Sequence, residues 1–174
     1  MTGSVLAVVG PTASGKTALS LPLAEALGGE IISMDSRQVY RGMDIGTDKA
    51  TPEDRARVPH HGLALVDPRE RYSAGQFARH ARRWIEEIRG RGHLPLVVGG
   101  TGFFLKALLE PVFREPAMEK ARKEALRGWL AGLPRERLED WVALLDPERL
   151  DLARAGGPQR LSRTVEAALL TGLP

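Results

Sequence analysis

The feature that most constrains the fold of this chain is an eight-residue motif close to its start. Residues 10–17 match the pattern G-x-x-x-x-G-K-[ST] and follow the apolar run Ser4 to Val9. A strand, a glycine-rich turn and a helix in this order form a phosphate-binding loop, because the amides of the turn and the helix N-terminus converge on one anion. We predict that a polyphosphate is bound by Gly10, Pro11, Thr12, Ala13, Ser14, Gly15, Lys16 and Thr17.

Two side chains of this motif carry specific expectations. Lys16 is placed to reach the outer phosphate as a point charge, and the hydroxyl of Thr17 is placed to ligate Mg²⁺ shared with phosphate oxygens. We therefore expect Mg²⁺ as the cofactor. The motif does not identify the group that is attached to the phosphate.

The composition sets the outer limits. The 174 residues suit one domain, or a core domain with a smaller insertion, and they contain no cysteine, which excludes disulfides and thiolate metal sites. No apolar stretch approaches the length of a membrane span. We expect a cytoplasmic monomer with no membrane partner. The formal net charge of +3 favours nucleic-acid binding only slightly.

The pattern along the chain predicts a parallel α/β sheet of the P-loop NTPase type, flanked by helices. Strand-like runs occupy Ser4 to Val9, Glu30 to Met34, Leu63 to Val66 and Leu94 to Val98. From Ala74 to Arg89, Phe77, Ala81, Ile85 and Ile88 recur on one helical face, and Ser73 with Gln76 forms a possible capping box. Residues 1–110 are expected to form the core. Residues 111–174, rich in Arg, Glu, Leu and Ala, are expected to form a helical insertion and the start of a return to the core.

Two further segments follow predicted strands, at the sheet edge where open α/β folds bind ligands. Asp35 follows the second strand, and it could support Mg²⁺ from outside the ion's inner coordination sphere, act as a general base or cap the next turn. The fourth strand ends in Gly99-Gly100-Thr101 rather than in the aspartate that holds Mg²⁺ in hydrolytic P-loop proteins. This favours a transferase with a diphosphate leaving group over an ATP hydrolase. The adjacent His60 and His61 are interpreted as loop residues and not as metal ligands.

Taken together, these motifs resemble one family. The phosphate loop, residues 35–40 (DSRQVY), residues 43–47 (MDIGT), Gly99-Gly100-Thr101 and Pro158-Gln159-Arg160 occur in the order and spacing of the tRNA dimethylallyltransferases. The resemblance runs from the first strand to the last residue. It implies transfer of a dimethylallyl group from dimethylallyl diphosphate to N6 of the adenosine just 3′ of the anticodon, within the tRNA anticodon stem-loop.

The resemblance also implies roles for individual residues. It makes Asp35 the base for the adenine amine, Thr101 the hydroxyl that supports the departing diphosphate oxygen, and Lys16 a catalytic cation. It places these residues on tRNA: Asp35, Ser36, Arg37, Gln38, Thr101, Arg122, Gln159, Arg160, Leu161, Ser162 and Arg163. Members of the family are considerably longer, so we expect this chain to lack their C-terminal part and to be weakly active alone. The alternatives from the motif itself are a P-loop small-molecule or nucleotide kinase and a non-catalytic RNA- or nucleotide-binding module.

Overall fold

The computed structural model describes residues 4–110 and 119–172. Contacts divide the chain into two compact units, residues 1–112 and residues 113–174. The predicted boundary after residue 110 adjoins residues 111–118, which lie outside the described residues. Within the described residues, no helix is both long enough and apolar enough to cross a membrane.

The first unit is built on a four-stranded parallel sheet. The strands are β1 (Leu6–Val9), β2 (Gly29–Ser33), β3 (His60–His61) and β4 (Leu94–Gly99), in the order β1-β4-β2-β3. The helices of this unit are α1 (Lys16–Leu27), α2 (Pro52–Arg57), α3 (Ala74–Gly90) and α4 (Gly102–Leu109), with a 3₁₀ turn at Ile45–Thr47. A parallel sheet flanked by helices confirms the predicted fold class.

Helix α3 covers one face of the sheet, as predicted. Its start is fixed by a reciprocal capping box, in which the Ser73 hydroxyl accepts from the Gln76 amide and the Gln76 side chain accepts from the Ser73 amide. Phe77, Ala81, Ile85 and Ile88 are all buried, and they belong to a core that also contains Ile32 and Val97 of the sheet and Phe104 of α4. The Phe77 and Phe104 rings stack with centroids 4.7 Å apart.

The third predicted strand was placed wrongly. The chain pairs with β2 at His60 and His61, whereas residues 63–66 form an irregular segment with a single bridge between Val66 and Tyr40. Gly62 and Ala64 have φ angles of +88° and +49°, which lie outside the β region and end the regular strand after His61. The two histidines are therefore strand residues and not loop residues.

The second unit, where it is described, consists of helices. These are α5 (Lys120–Ala131), α6 (Arg135–Leu145), α7 (Leu150–Ala155) and α8 (Gly157–Thr171), with a 3₁₀ turn at Pro147–Arg149. Their apolar faces enclose a separate core of Leu130, Leu138, Val142, Ala153, Leu161 and Val165. Trp129 and Trp141 pack edge to face with centroids 5.8 Å apart. The helical character predicted for this part of the chain agrees with residues 119–172.

Candidate active site

A cavity of about 580 Å³ lies at the carboxyl ends of β2 and β4 in the first unit. Its walls come from the phosphate loop, from β2 and the turn after it, from the end of β4, and from residues 47–60. The polar side chains on it include Lys16, Thr17, Asp35, Gln38 and Asp48. Asp35 and Lys16 thus share one cavity, as the sequence predicted from their positions beyond the carboxyl ends of parallel strands.

The phosphate loop has the backbone conformation that an anion cradle requires. Ala13 and Gly15 have φ angles of +62° and +78°, and Gly15 precedes the first residue of α1. Left-handed residues in such a turn let successive amides face one concavity, where the dipole of the helix N-terminus also favours an anion. The Lys16 ammonium donates to the Pro11 carbonyl at 2.5 Å and lies 3.4 Å from the Ser14 hydroxyl oxygen, so the cation lies over the loop.

Asp35 lies two residues beyond β2, and one of its carboxylate oxygens is used locally. Oδ1 accepts hydrogen bonds from the amides of Arg37 (2.7 Å) and Gln38 (3.3 Å), which closes the turn after the strand. Within the part of the chain that the structure describes, Oδ2 receives no hydrogen bond. Both the turn-capping role and a role toward a ligand are therefore compatible with the geometry of this side chain.

Glycines at the end of β4 allow three segments to meet. A β-carbon at Gly99 would lie 2.1 Å from the Met34 carbonyl oxygen, and one at Gly100 would lie 3.1 Å from that of Gly10 and 3.9 Å from Lys16 Nζ. Thr101 follows directly and is the N-cap residue of α4. Its hydroxyl oxygen accepts from the Ser36 amide at 3.1 Å, which ties the turn after β2 to the end of β4 and leaves the hydroxyl hydrogen available to donate.

The Gln38 side chain forms hydrogen bonds within the first unit. Its side-chain oxygen accepts from the Ser33 hydroxyl at 2.7 Å, and its amide nitrogen donates to the carbonyls of Thr47 and Asp48, both at 3.0 Å. All three contacts are internal, so the side chain braces the cavity wall. Both amide hydrogens are used in these contacts, whereas the side-chain oxygen keeps a second lone pair, so the tRNA contact of Gln38 stays a prediction.

The residues of the second unit that were expected to contact tRNA divide into two groups. Arg122, Gln159 and Arg160 are exposed, and Ser162 is partly exposed. Leu161 is completely buried in the core of this unit, so its side chain packs against helices and only its backbone could take part in the expected RNA contact. Arg163 is exposed but forms an ion pair with Glu166 at 2.6 Å.

Sequence reasoning missed three ionisable residues that border the cavity: Asp48, Asp54 and His60. Asp54 forms a capping box with Thr51 at the start of α2, and the hydrogen bond from the Thr51 amide lowers the pKa of its carboxyl group. Burial lowers the pKa of His60. The Thr-x-x-Asp pattern could have indicated the start of α2, but nothing in the sequence brings this segment to the phosphate loop.

The donor set fits a magnesium ion that arrives with a phosphate ligand. No group of three or more His, Asp or Glu side chains among residues 4–110 and 119–172 is arranged to hold a metal. Mg²⁺ in phosphoryl sites keeps several waters and takes few protein ligands besides the phosphate oxygens. The exposed hydroxyl of Thr17, which borders the cavity, is a ligand of the type that such an ion takes from the protein.

Comparison with known proteins identifies the group to which this site belongs. The model of the IPP transferase family matches residues 38–174, and that of isopentenyl transferases matches residues 3–58. The chain belongs to the IPP transferase family. A tRNA dimethylallyltransferase from Halorhodospira halophila is 46% identical over 174 residues, which are 100% of this chain and 56% of that protein. One from Desulfotalea psychrophila is 45% identical over 98% of this chain and 54% of its own length.

Solved structures of this family have the same fold. The full-length tRNA isopentenylpyrophosphate transferase from Bacillus halodurans has a TM-score of 0.63 and 39% identity, over 98% of this chain and 57% of that one. A eukaryotic dimethylallyltransferase acting on tRNA has a TM-score of 0.85 and 29% identity, over 98% and 42%. The chain therefore spans about half the length of the family members that it matches.

Proposed function

We propose that this chain carries the site of a prenyl transfer, in which a dimethylallyl group passes from dimethylallyl diphosphate to N6 of the adenosine 3′ of a tRNA anticodon. The observation that carries the proposal is the shared cavity of Lys16 and Asp35 in a member of the IPP transferase family. One wall of this cavity suits a diphosphate, and a carboxylate borders the same space.

The proposed chemistry depends mainly on the leaving group, because an adenine amine is a poor nucleophile. The C–O bond to diphosphate breaks as the C–N bond forms, and negative charge accumulates on the departing oxygens. The Lys16 ammonium, the loop amides and the hydroxyl hydrogen of Thr101 would stabilise that charge. Thr17 would hold a Mg²⁺ ion, whose contribution is to neutralise the diphosphate. Asp35 would take the proton that the amine loses.

The acceptor base has to leave its stack to enter a cavity of this kind. The proposal assigns the recognition of the surrounding anticodon loop to exposed polar and basic groups, with Ser36 and Arg37 in the first unit and Arg122, Gln159 and Arg160 in the second. Single-stranded loops are the part of RNA that proteins read most readily, through stacking and phosphate contacts.

The direct test is incubation of the chain with Mg²⁺, labelled dimethylallyl diphosphate and unmodified tRNA. Prenylated adenosine and stoichiometric diphosphate would support the proposal, whereas ADP formed in a parallel incubation with ATP would indicate the kinase alternative. Lys16→Ala should weaken binding of dimethylallyl diphosphate in calorimetry, and Lys123→Ala in the second unit serves as a matched control. Unchanged affinity in Lys16→Ala would contradict the assignment of the loop.

A further inference from the structure

A second, smaller cavity shares the lining residue Thr47 with the first. It measures about 350 Å³ and is lined by Arg37 and by Gly42, Met43, Asp44, Ile45, Gly46 and Thr47. Thr47 lines both cavities, so they share a wall. Its volume falls at the lower end of the range of about 300–1,000 Å³ that is typical of ligand sites.

Met43 and Ile45 form the apolar side of this cavity, and Ile45 is in an unusual position. Ile45 is 99% exposed at the start of the 3₁₀ turn, more than any other large apolar residue among those described. A single exposed apolar residue is ordinary on a mobile surface loop. Such a residue indicates a contact surface when the surrounding loop is held in place, because its apolar side chain is then kept exposed to solvent in one position.

Several polar contacts hold this loop in place. The Lys49 ammonium, with a side chain only 1% exposed, donates to Asp44 Oδ1 and to the Tyr40 carbonyl, both at 2.7 Å. At the other end of the loop, the Gln38 side chain donates to the carbonyls of Thr47 and Asp48. The Thr47 hydroxyl donates to the Met43 carbonyl at 2.5 Å. The loop that presents Ile45 is therefore pre-organised, which lowers the entropic cost of binding.

The charges around the cavity favour a ligand with anionic groups. Asp44 is its one acidic residue, and Lys49 pairs with that carboxylate. The Arg37 guanidinium forms no ion pair or side-chain hydrogen bond with any residue in the ranges 4–110 and 119–172, so its planar cation remains available. A planar cation and a branched apolar side chain at one small cavity suit the face of a nucleobase with its phosphate nearby.

We infer that this cavity is a second nucleotide subsite, which holds a base next to the acceptor adenosine between Arg37 and Ile45. The inference rests on the proposed function, because the occupant is the RNA neighbour of the base that enters the larger cavity. The shared wall at Thr47 makes the two subsites adjacent, as consecutive nucleotides require. Gln38 and Lys49 act on this subsite as positioning residues.

The test measures the affinity of a fluorescently labelled anticodon stem-loop RNA in the absence of any prenyl donor. Three RNAs are compared: the intact loop, a loop with an abasic nucleotide 5′ of the acceptor adenosine, and one with it 3′. Ile45→Ala should weaken binding of the intact loop about threefold to tenfold, since it removes apolar contact with one base. With one of the abasic loops the substitution should have no effect. Leu19→Ala, on the exposed surface of α1 and outside both cavities, is the matched control.

The contrary results are equally definite. The subsite is refuted if Ile45→Ala weakens all three RNAs equally, if it leaves the intact loop unaffected, or if the chain binds none of them. The transfer assay is independent of this measurement. If RNA binding depends on Ile45 but the chain shows no prenyl transfer, the subsite stands and the proposed reaction is refuted. If the chain transfers the prenyl group and Ile45→Ala leaves kcat/KM for RNA unchanged, the reaction stands and the subsite is refuted.

Discussion

The two carboxylate oxygens of Asp35 allow its structural and chemical roles to be separated. Oδ1 caps the turn through the amides of Arg37 and Gln38, and an asparagine oxygen can accept the same two bonds. An asparagine cannot accept the proton of an adenine amine. The turn should therefore survive a substitution that removes the base.

We predict that Asp35→Asn lowers kcat for prenyl transfer by about 100-fold to 10,000-fold, the range for loss of a general base, with little change in the affinity for dimethylallyl diphosphate. Asp35→Ala should lose the same activity and also some stability, because two turn amides lose their acceptor. Single-turnover kinetics and thermal unfolding of both variants check this. A loss of donor affinity with unchanged kcat in Asp35→Asn would exclude the role as base.

Thr101 presents a similar division within one hydroxyl group. The oxygen accepts from the Ser36 amide, while the hydrogen is free to donate to a departing oxygen. Thr101→Ser keeps both functions and should retain most activity. Thr101→Val has nearly the same shape and should lower kcat by about 100-fold, the usual cost of one donor to a developing oxyanion. Equal kcat values for the two variants, measured at saturating donor, would contradict this role.

At the scale of secondary-structure elements, the amino-terminal end of the sheet is held by a buried ionic cluster. Glu30 of β2 is 2% exposed, and its carboxylate binds Arg91 at 2.8 and 2.9 Å, His61 at 2.7 Å and His93 at 2.7 Å. The hydrogen bond from Arg91 lowers the pKa of Glu30 most, and burial raises it. The hydrogen bonds from His61 and His93 lower it further, so that the pKa falls from 4.5 to about 2. The cluster joins β2, β3 and the segment before β4.

This cluster predicts that the free energy of unfolding decreases at acidic pH. Because the pKa of Glu30 is lower in the folded than in the unfolded chain, its contribution is complete above about pH 5 and is lost as the pH falls toward 2. The contribution is at most roughly 3 kcal/mol at pH 7. Glu30→Gln should destabilise the chain at pH 7 and flatten the fall of the unfolding free energy between about pH 5 and pH 3. Urea denaturation across this range is the measurement.

Glu25 offers a control for the Glu30 experiment. It binds Arg57 at 2.9 Å, but both side chains are substantially exposed, at 40% and 52%. Exposed pairs contribute little, so Glu25→Gln should change neither the stability nor its pH dependence measurably. If Glu25→Gln and Glu30→Gln gave the same pH profile, the acid-sensitive group would lie outside the cluster.

The same elements show what the sequence could and could not predict. The phosphate loop and the capping box of α3 depend on residues close together in the chain, and both have the predicted form. The position of β3 depends on which residues pair with β2, and apolarity favoured Leu63 to Val66 over two histidines. Those histidines became strand residues because His61 meets a buried carboxylate 31 positions earlier, a contact that no local pattern encodes.

At the scale of the whole molecule, the groups expected to meet RNA lie in both units, whereas the predicted donor site lies entirely in the first. Arg160, at the start of α8, is exposed and forms no ion pair or side-chain hydrogen bond with other residues in the described ranges. Its charge is therefore available for a phosphate. Arg135, in the same unit, already pairs with Glu139 at 2.8 Å.

A phosphate contact has a signature in the salt dependence of binding, because each neutralised phosphate releases counterions. We predict that Arg160→Ala weakens anticodon stem-loop binding to a similar degree for different loop sequences. It should also reduce the slope of log affinity against log salt concentration by roughly 0.7–0.9. Arg135→Ala should leave that slope unchanged, since its cation is already paired. The measurement is a salt titration by fluorescence anisotropy. An unchanged slope in Arg160→Ala would place the phosphate contacts elsewhere, and a loss confined to one loop sequence would mean that Arg160 reads a base.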